Sequence, residues 1–209
     1  MANGNGSHAE GYGVDGNKVQ ANGLGAHAEG VYTKATGNGT HAEGQSTNAS
    51  NGAAHAEGQN TVAEGSGAHA EGFGKSANQQ VVAKGLGAHA EGIWTTASAN
   101  GAHAEGEQTT ASSEDAHAEG YLTTASAKAS HAGGIGTIAD SEAQTAIGKY
   151  NASESTALFI VGNGASLKDR KNAFTTGYDK GNYYLKVGAT TLTETQLIKI
   201  LNFIDSIEY

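Results

Sequence analysis

Apolar and polar residues alternate along this chain in short, evenly spaced bursts. In Ala26-His27-Ala28-Glu29-Gly30 a period of two puts Ala26 and Ala28 on one face and His27 and Glu29 on the other, the alternation of a half-buried strand. His8, His27, His41, His55, His69, His89, His103 and His117 each open a His-Ala-Glu-Gly burst, and His131 opens His-Ala-Gly-Gly. Successive histidines are spaced by 19, 14, 14, 14, 20, 14, 14 and 14. A second mark follows most of them by eight, at Ala35, Ala49, Ala63, Ala77, Ala97, Ala111, Ala125 and Ala139. A unit this short is too small for a helical hairpin, and its Gly-, Asn- and Ser-rich corners interrupt any continuous helix. Two short strands and two tight corners make one turn of a narrow parallel β-roll, a solenoid. Alanines fill its interior, and His and Glu point outward. With coils stacked at about 4.8 Å, the nine steps from His8 to Thr145 span about 43 Å.

A longer period, of 62, overlies the short one. It separates His27 from His89, His41 from His103, His55 from His117 and His69 from His131, as though a block of four coils had been copied. The organisation predicted is a repetitive roll over 1–152, a small β module over 153–189 and a helix over 190–209. In the module, Leu158-Phe159-Ile160-Val161 reads as an apolar strand, and Asn172–Thr176 with Tyr183–Val187 as a hairpin about Asp179-Lys180-Gly181. The helix opens on a capping box, Thr193 with Gln196, and Leu192 can staple onto Leu197. Leu197, Ile200, Ile204 and Ile207 follow a 3-4-3 spacing. Such a seam with isoleucine at both core positions favours trimers or tetramers over dimers; the plainer reading is an amphipathic helix covering the sheet before it.

Composition changes this picture little but excludes much. The 209 residues include 32 Gly, no Pro and no Cys, with 6% aromatic. So little large apolar surface cannot make an ordinary globular core, and a disulfide framework or thiolate metal site is ruled out. Residues 1–148 carry 5 Lys against 15 acids, or -10, and 149–209 carry 7 Lys+Arg against 6 acids, or +1. This balance argues against nucleic acid as a partner. No run approaches the length of a membrane span, and the opening Met1-Ala2-Asn3-Gly4-Asn5-Gly6 has neither the basic nor the apolar region of a secretory leader. Export by the general route and membrane insertion are therefore not expected.

In Thr145-Ala146-Ile147-Gly148 the chain resembles the head repeat of YadA-like trimeric autotransporter adhesins, a left-handed parallel β-roll that assembles as a homotrimer. The Ser-His-Ala-Glu-Gly and Thr-Thr-Ala-Ser variant is similar to repeats of bacteriophage and prophage tail-fibre, receptor-binding proteins. The resemblance covers residues 7–148 in ten coils. The segments Gly162-Asn163-Gly164, Arg170-Lys171-Asn172-Ala173-Phe174 and Gly181-Asn182 resemble C-terminal modules of prophage tail proteins. The implied fold is an all-β homotrimeric fibre ending in a coiled-coil helix. The implied function is structural and adhesive: a tail fibre on the virion, contacting a bacterial cell-surface receptor and other tail or baseplate proteins. Alternatives are the head of an autotransporter adhesin on a bacterial surface, or a passive spacer with no binding site of its own.

In the family, the two apolar residues of the motif face neighbouring subunits. Carried over, the trimer interior receives His8, Glu10, His27, Glu29, His41, Glu43, His55, Glu57, His69, Glu71, His89, Glu91, His103, Glu105, His117, Glu119 and His131. Polar residues stand there in place of aliphatic ones. Because buried charge is costly unless paired, a hydrogen-bonded His–Glu ladder is expected. A pair repeated in nearly every coil is a structural rule rather than a catalytic constellation, so no enzyme activity, cofactor or dedicated metal site is predicted, ions on the axis being the remaining metal role. Bulky residues cluster just after the motif glycine, at Tyr12, Tyr32, Phe73, Trp94, Tyr121 and Leu122. If these corners face solvent they are candidate receptor or glycan contacts; packing across a subunit seam is the plainer reading. The pairs Thr95-Thr96, Thr109-Thr110 and Thr123-Thr124 could form an ice-binding face, although hydroxyl hydrogen bonding between coils is favoured.

Overall fold

The computed structural model describes every residue except Asp15, Glu208 and Tyr209, and the side chains of Asp205 and Ile207 also lie outside it. It is a parallel β-solenoid of ten turns with one C-terminal helix. Each regular coil has a five-residue strand, such as His27–Val31, and a shorter strand of two or three residues, such as Lys34–Ala35 or Thr61–Ala63. The long strands stack in one sheet and the short ones in a second of nine strands, in sequence order. Register is strict: His pairs with His, Ala with Ala and Glu with Glu from one coil to the next.

The interior is as thin as the composition requires. One turn sends Thr33, Ala35, Thr40 and Ala42 inward, all essentially inaccessible to solvent. The predicted inward Ala28, Ala42, Ala56, Ala70, Ala90, Ala104, Ala118 and Ala132 are fully buried. One of the second-strand marks falls elsewhere. Ala77 is exposed, and Ala83 takes the slot, paired with Ala63 and Ala97. The cause is an inserted excursion closed by a bridge between Ser76 and Gln79; the other long gap carries a matching bridge between Val14 and Asn17.

The glycine that closes each four-residue motif is required twice over. Ten glycines, from Gly11 to Gly148, have φ between +92° and +124°. A Cβ on any of them would lie 1.9–2.5 Å from the carbonyl oxygen of the equivalent glycine in the next coil. No side chain can yield there, because the obstacle is backbone.

The Thr pairs do not form a flat face. Thr95, Thr109 and Thr123 are buried, while Thr96, Thr110 and Thr124 point outward. Nor do the inner hydroxyls bridge coils: Oγ1 of Thr95, Thr109 and Thr123 has no hydrogen-bond partner among the described residues.

The hydrogen-bonded sheet does not stop at residue 152. Ala157–Asn163 adds an eleventh parallel strand, with Phe159 beside Thr145, Ile160 beside Ala146, Val161 beside Ile147 and Gly162 beside Gly148. Its Gly164 leads into a third bridged excursion, Ser166 with Asp169. From there the sheet turns antiparallel through Asn172–Asp179, Asn182–Val187 and Thr190–Thr193. The first of the last two turns is the predicted hairpin, tightened to Lys180-Gly181, both at positive φ, as two-residue hairpins prefer. The helix spans Glu194–Ile207, and its capping box is formed: Gln196 Oε1 accepts from the Thr193 N–H at 2.9 Å, and Thr193 Oγ1 accepts from the Gln196 N–H at 3.4 Å.

Candidate functional site

Strict register converts a two-residue alternation into two columns on the outer face of the larger sheet. The imidazoles from His27 to His131 stack with ring centroids 4.7–4.9 Å apart and planes within 2–26° of parallel. His8 tilts away, 58° from His27. Beside them runs the glutamate column, and beyond it the bare glycine backbone. The result is a shallow open groove of about 360 Å³ lined by Glu57, Glu71, Glu91 and their neighbouring glycines.

Pairing between the columns changes along the axis. In the first six coils each His Nε2 faces the glutamate of its own coil, at 3.3–3.7 Å from His8–Glu10 through His89–Glu91. Further on it faces the glutamate of the preceding coil, His117 with Glu105 at 3.4 Å and His131 with Glu119 at 3.2 Å. Gly133 occupies the glutamate slot of the last His coil, where a Cβ would lie 2.9 Å from Glu119 Oε1. The missing side chain is the space into which Glu119 leans. In the single chain these groups are half-exposed, yet Nε2 of His55, His69, His89 and His103 is itself covered and has no hydrogen-bond partner among the described residues. Burial, then the stacked His69 and His41, lowers the pKa of His55, against the pull of Glu57 and Glu71.

The six corner residues are not brought together. Tyr12 and Tyr32 meet edge-on at 6.1 Å, Phe73 lies beside Ile93 next to Trp94, and Tyr121 lies beside Ile135 next to Leu122. These are three separate patches, centred roughly 12–20 Å apart at about 4.8 Å per coil. Tyr12, Phe73 and Tyr121 are exposed, whereas Tyr32, Trp94 and Leu122 are half-buried. The latter three share an unusual backbone: φ is 60° at Tyr32, 54° at Trp94 and 57° at Leu122. Ser46, Asn60, Gln108 and Gly136 occupy the same left-handed corner in other coils. A residue with a Cβ is disfavoured there by about 1–2 kcal/mol, whatever the size of its side chain.

Of the helix residues, Leu197 is partly buried, Ile200 and Ile204 are more than 40% exposed, and the Ile207 side chain lies outside the described ones. Leu201 and Phe203, off the predicted seam, are exposed as well.

Three residues that close the end of the roll escaped sequence reasoning. Asn151 sits, fully buried, one coil period after Thr137, and its amide accepts from the Ile138 N–H at 2.7 Å and donates to the Ile138 carbonyl at 2.9 Å. One side chain thus satisfies the end of the nine-stranded sheet. Gln144, one coil period after Ser130, donates to the carbonyls of Glu154 and Ala157. Arg170 reaches back to the carbonyls of Gly136 at 2.7 Å and Asn151 at 3.1 Å. For Asn151 and Gln144 the available signal was a long amide in columns otherwise occupied by Thr, Ser, Ala and Val.

Compared with known proteins, the chain matches no protein-family model and no curated protein. No described helix is long and apolar enough to cross a membrane.

Proposed function

We propose that the chain is a structural and adhesive fibre protein, working as a homotrimer in a phage or prophage tail fibre whose corners contact a bacterial surface. The observation that carries this reading is the placement of Trp94, Tyr32 and Leu122 in left-handed corners. The fold accepts Ser, Asn, Gln or Gly at the same position, so it does not need a bulky residue there. A bulky side chain retained without structural necessity points to use, and Trp and Tyr are the side chains that most often anchor interfaces. The in-register stack makes a rod suited to holding such anchors at fixed separations. The exposed Ile200 and Ile204, with the half-exposed His–Glu columns, supply faces for two further copies.

The deciding experiment replaces Trp94 and Tyr32 by Asn, which tolerates the left-handed corner. Binding to bacterial cells is expected to fall at least tenfold while the thermal midpoint holds or rises. Undiminished binding would leave the chain a passive spacer. Light scattering is expected to give three times the 21.0 kDa chain mass; a monomer would overturn the trimeric part of the proposal.

A further inference from the structure

We infer that the middle of the His–Glu ladder binds divalent transition-metal ions, two per chain, in sites built entirely within one chain. Three groups of one imidazole and two carboxylates have ligand atoms within 4.8 Å of one another: Glu71, His89 and Glu91; Glu91, His103 and Glu105; Glu105, His117 and Glu119. The closest N–O distances, 3.7 Å for His89–Glu91 and 3.4 Å for His117–Glu105, already approach the roughly 3.0–3.5 Å between donor atoms that bind one zinc ion at about 2.0–2.2 Å. Half-exposed glutamates close the remaining gap by rotation, while stacking fixes the imidazoles.

Three observations single out this stretch. Nε2 of His89 is covered and without a hydrogen-bond partner among the described residues, while that of His117 already lies 3.4 Å from Glu105 Oε1. Glu91 and Glu105 are 34% and 33% exposed, against 50–53% for Glu29, Glu43 and Glu57, so charge there is less screened by water. Their ion-pair partners are histidines rather than Lys or Arg, and carboxylates repeated at about 4.8 Å repel one another until a cation lies between them. A mixed imidazole–carboxylate set selects zinc, cobalt or nickel over calcium and magnesium.

The stoichiometry follows from sharing. Glu91 and Glu105 each belong to two groups, whereas the first and third groups have no residue in common. Filling those two uses six ligands and separates the ions by about two coils, roughly 9.6 Å. The middle group is then without its carboxylates. Because every ligand comes from one chain, this inference stands or falls apart from the trimeric fibre reading.

Calorimetric titration of the full chain with zinc chloride at pH 7.5 is expected to show two ions per chain. Glu91→Gln and Glu105→Gln should each bind one, and Glu43→Gln, outside the groups, should bind two. Circular dichroism identical to the parent establishes that each variant is folded. Cobalt should bind with the same stoichiometry and give visible absorption bands that report its nitrogen and oxygen ligands. A tenfold excess of magnesium should not displace zinc. Absence of zinc binding, a stoichiometry unchanged in both Glu91→Gln and Glu105→Gln, or an equal loss in Glu43→Gln would overturn the assignment.

Discussion

The regular coils and the chain beyond Gly148 share one continuous sheet, yet they solve the problem of burial in opposite ways. In the coils, the interior is a file of Ala and Thr, and specificity comes from what cannot be larger. At the C-terminal end the interior is made of Ile160, Gln144 and Asn151, the largest fully buried side chains apart from Val81, and specificity comes from what must be present. The outer face changes at the same place: the His and Glu columns give way to Thr145 and Ile147, then Phe159 and Val161. A repeat can be built from small residues only while the next coil arrives to cover it. Where repetition ends, large amides and an arginine must replace the missing coil.

The contrast is tested most severely at the glycine column. Gly106→Ala would drive a Cβ to 2.2 Å from the Gly120 carbonyl oxygen, combining overpacking with a disfavoured φ. A loss of roughly 3–5 kcal/mol is expected from those two costs together, seen as a large drop in thermal midpoint. Opposite changes of volume should both destabilise, each in its own region. Ile160→Ala should cost about 2–4 kcal/mol by leaving a cavity, and Ala104→Ile about 3 kcal/mol or more by overfilling the roll. Chemical denaturation measures both, and tolerance of Ile at 104 would contradict the narrow interior. Asn151→Ala should cost about 1–3 kcal/mol, because the Ile138 N–H and carbonyl lose their partner away from water. Hydrogen exchange at Ile138 should accelerate well before the middle coils respond.

The smallest effect concerns acid. The His55 pKa is lowered below the ordinary 6.5, first by burial and then by His69 and His41, with Glu57 and Glu71 opposing. As pH falls past about 6.5 the unfolded chain takes up this proton before the folded one does, so stability present above that pH is lost through the window below it. The thermal midpoint should decline from pH 7 to pH 5, less steeply in His55→Gln, and sedimentation over the same range should show the proposed trimer loosening. A midpoint that rises on acidification would reverse the sign assigned here.

Much of the roll is readable because its rule is repeated. His27, Ala28, Glu29 and Gly30 declare a period, a face and a corner, and the other coils restate them. The eleventh strand is harder to see. Phe159, Ile160, Val161 and Gly162 keep the repeat step from Thr145 but replace every marker except glycine, so the pattern looks like a new module. Ala77 misleads for the converse reason: it keeps the spacing, but the excursion closed by Ser76 and Gln79 lifts it out of the stack. The candidate site is legible as two columns, since alternation alone sets which side chains share a face. The shift from own-coil to preceding-coil pairing is not, because it depends on side-chain rotation and on the room left above Gly133. Left-handed corners at Tyr32, Trp94 and Leu122 are hidden too, as bulky residues are the last expected in that conformation.

The direction of the interstrand hydrogen bonds has a mechanical consequence. They run along the solenoid axis while the covalent chain winds across it. Tension applied at the two ends therefore loads the terminal coil rather than sharing itself among all of them. Coils should peel off singly, each releasing one period of the sequence, or about 46–50 Å of extended chain, in exchange for a rung of about 4.8 Å. Stretched one molecule at a time, the rod should lengthen in regular steps of about 40–45 Å until the Asn151–Arg170 clasp is reached. A single all-at-once rupture would show that the coils hold together as one mechanical unit. A stack that yields stepwise is a shock absorber: it can lose its outermost coils under load and keep the rest folded.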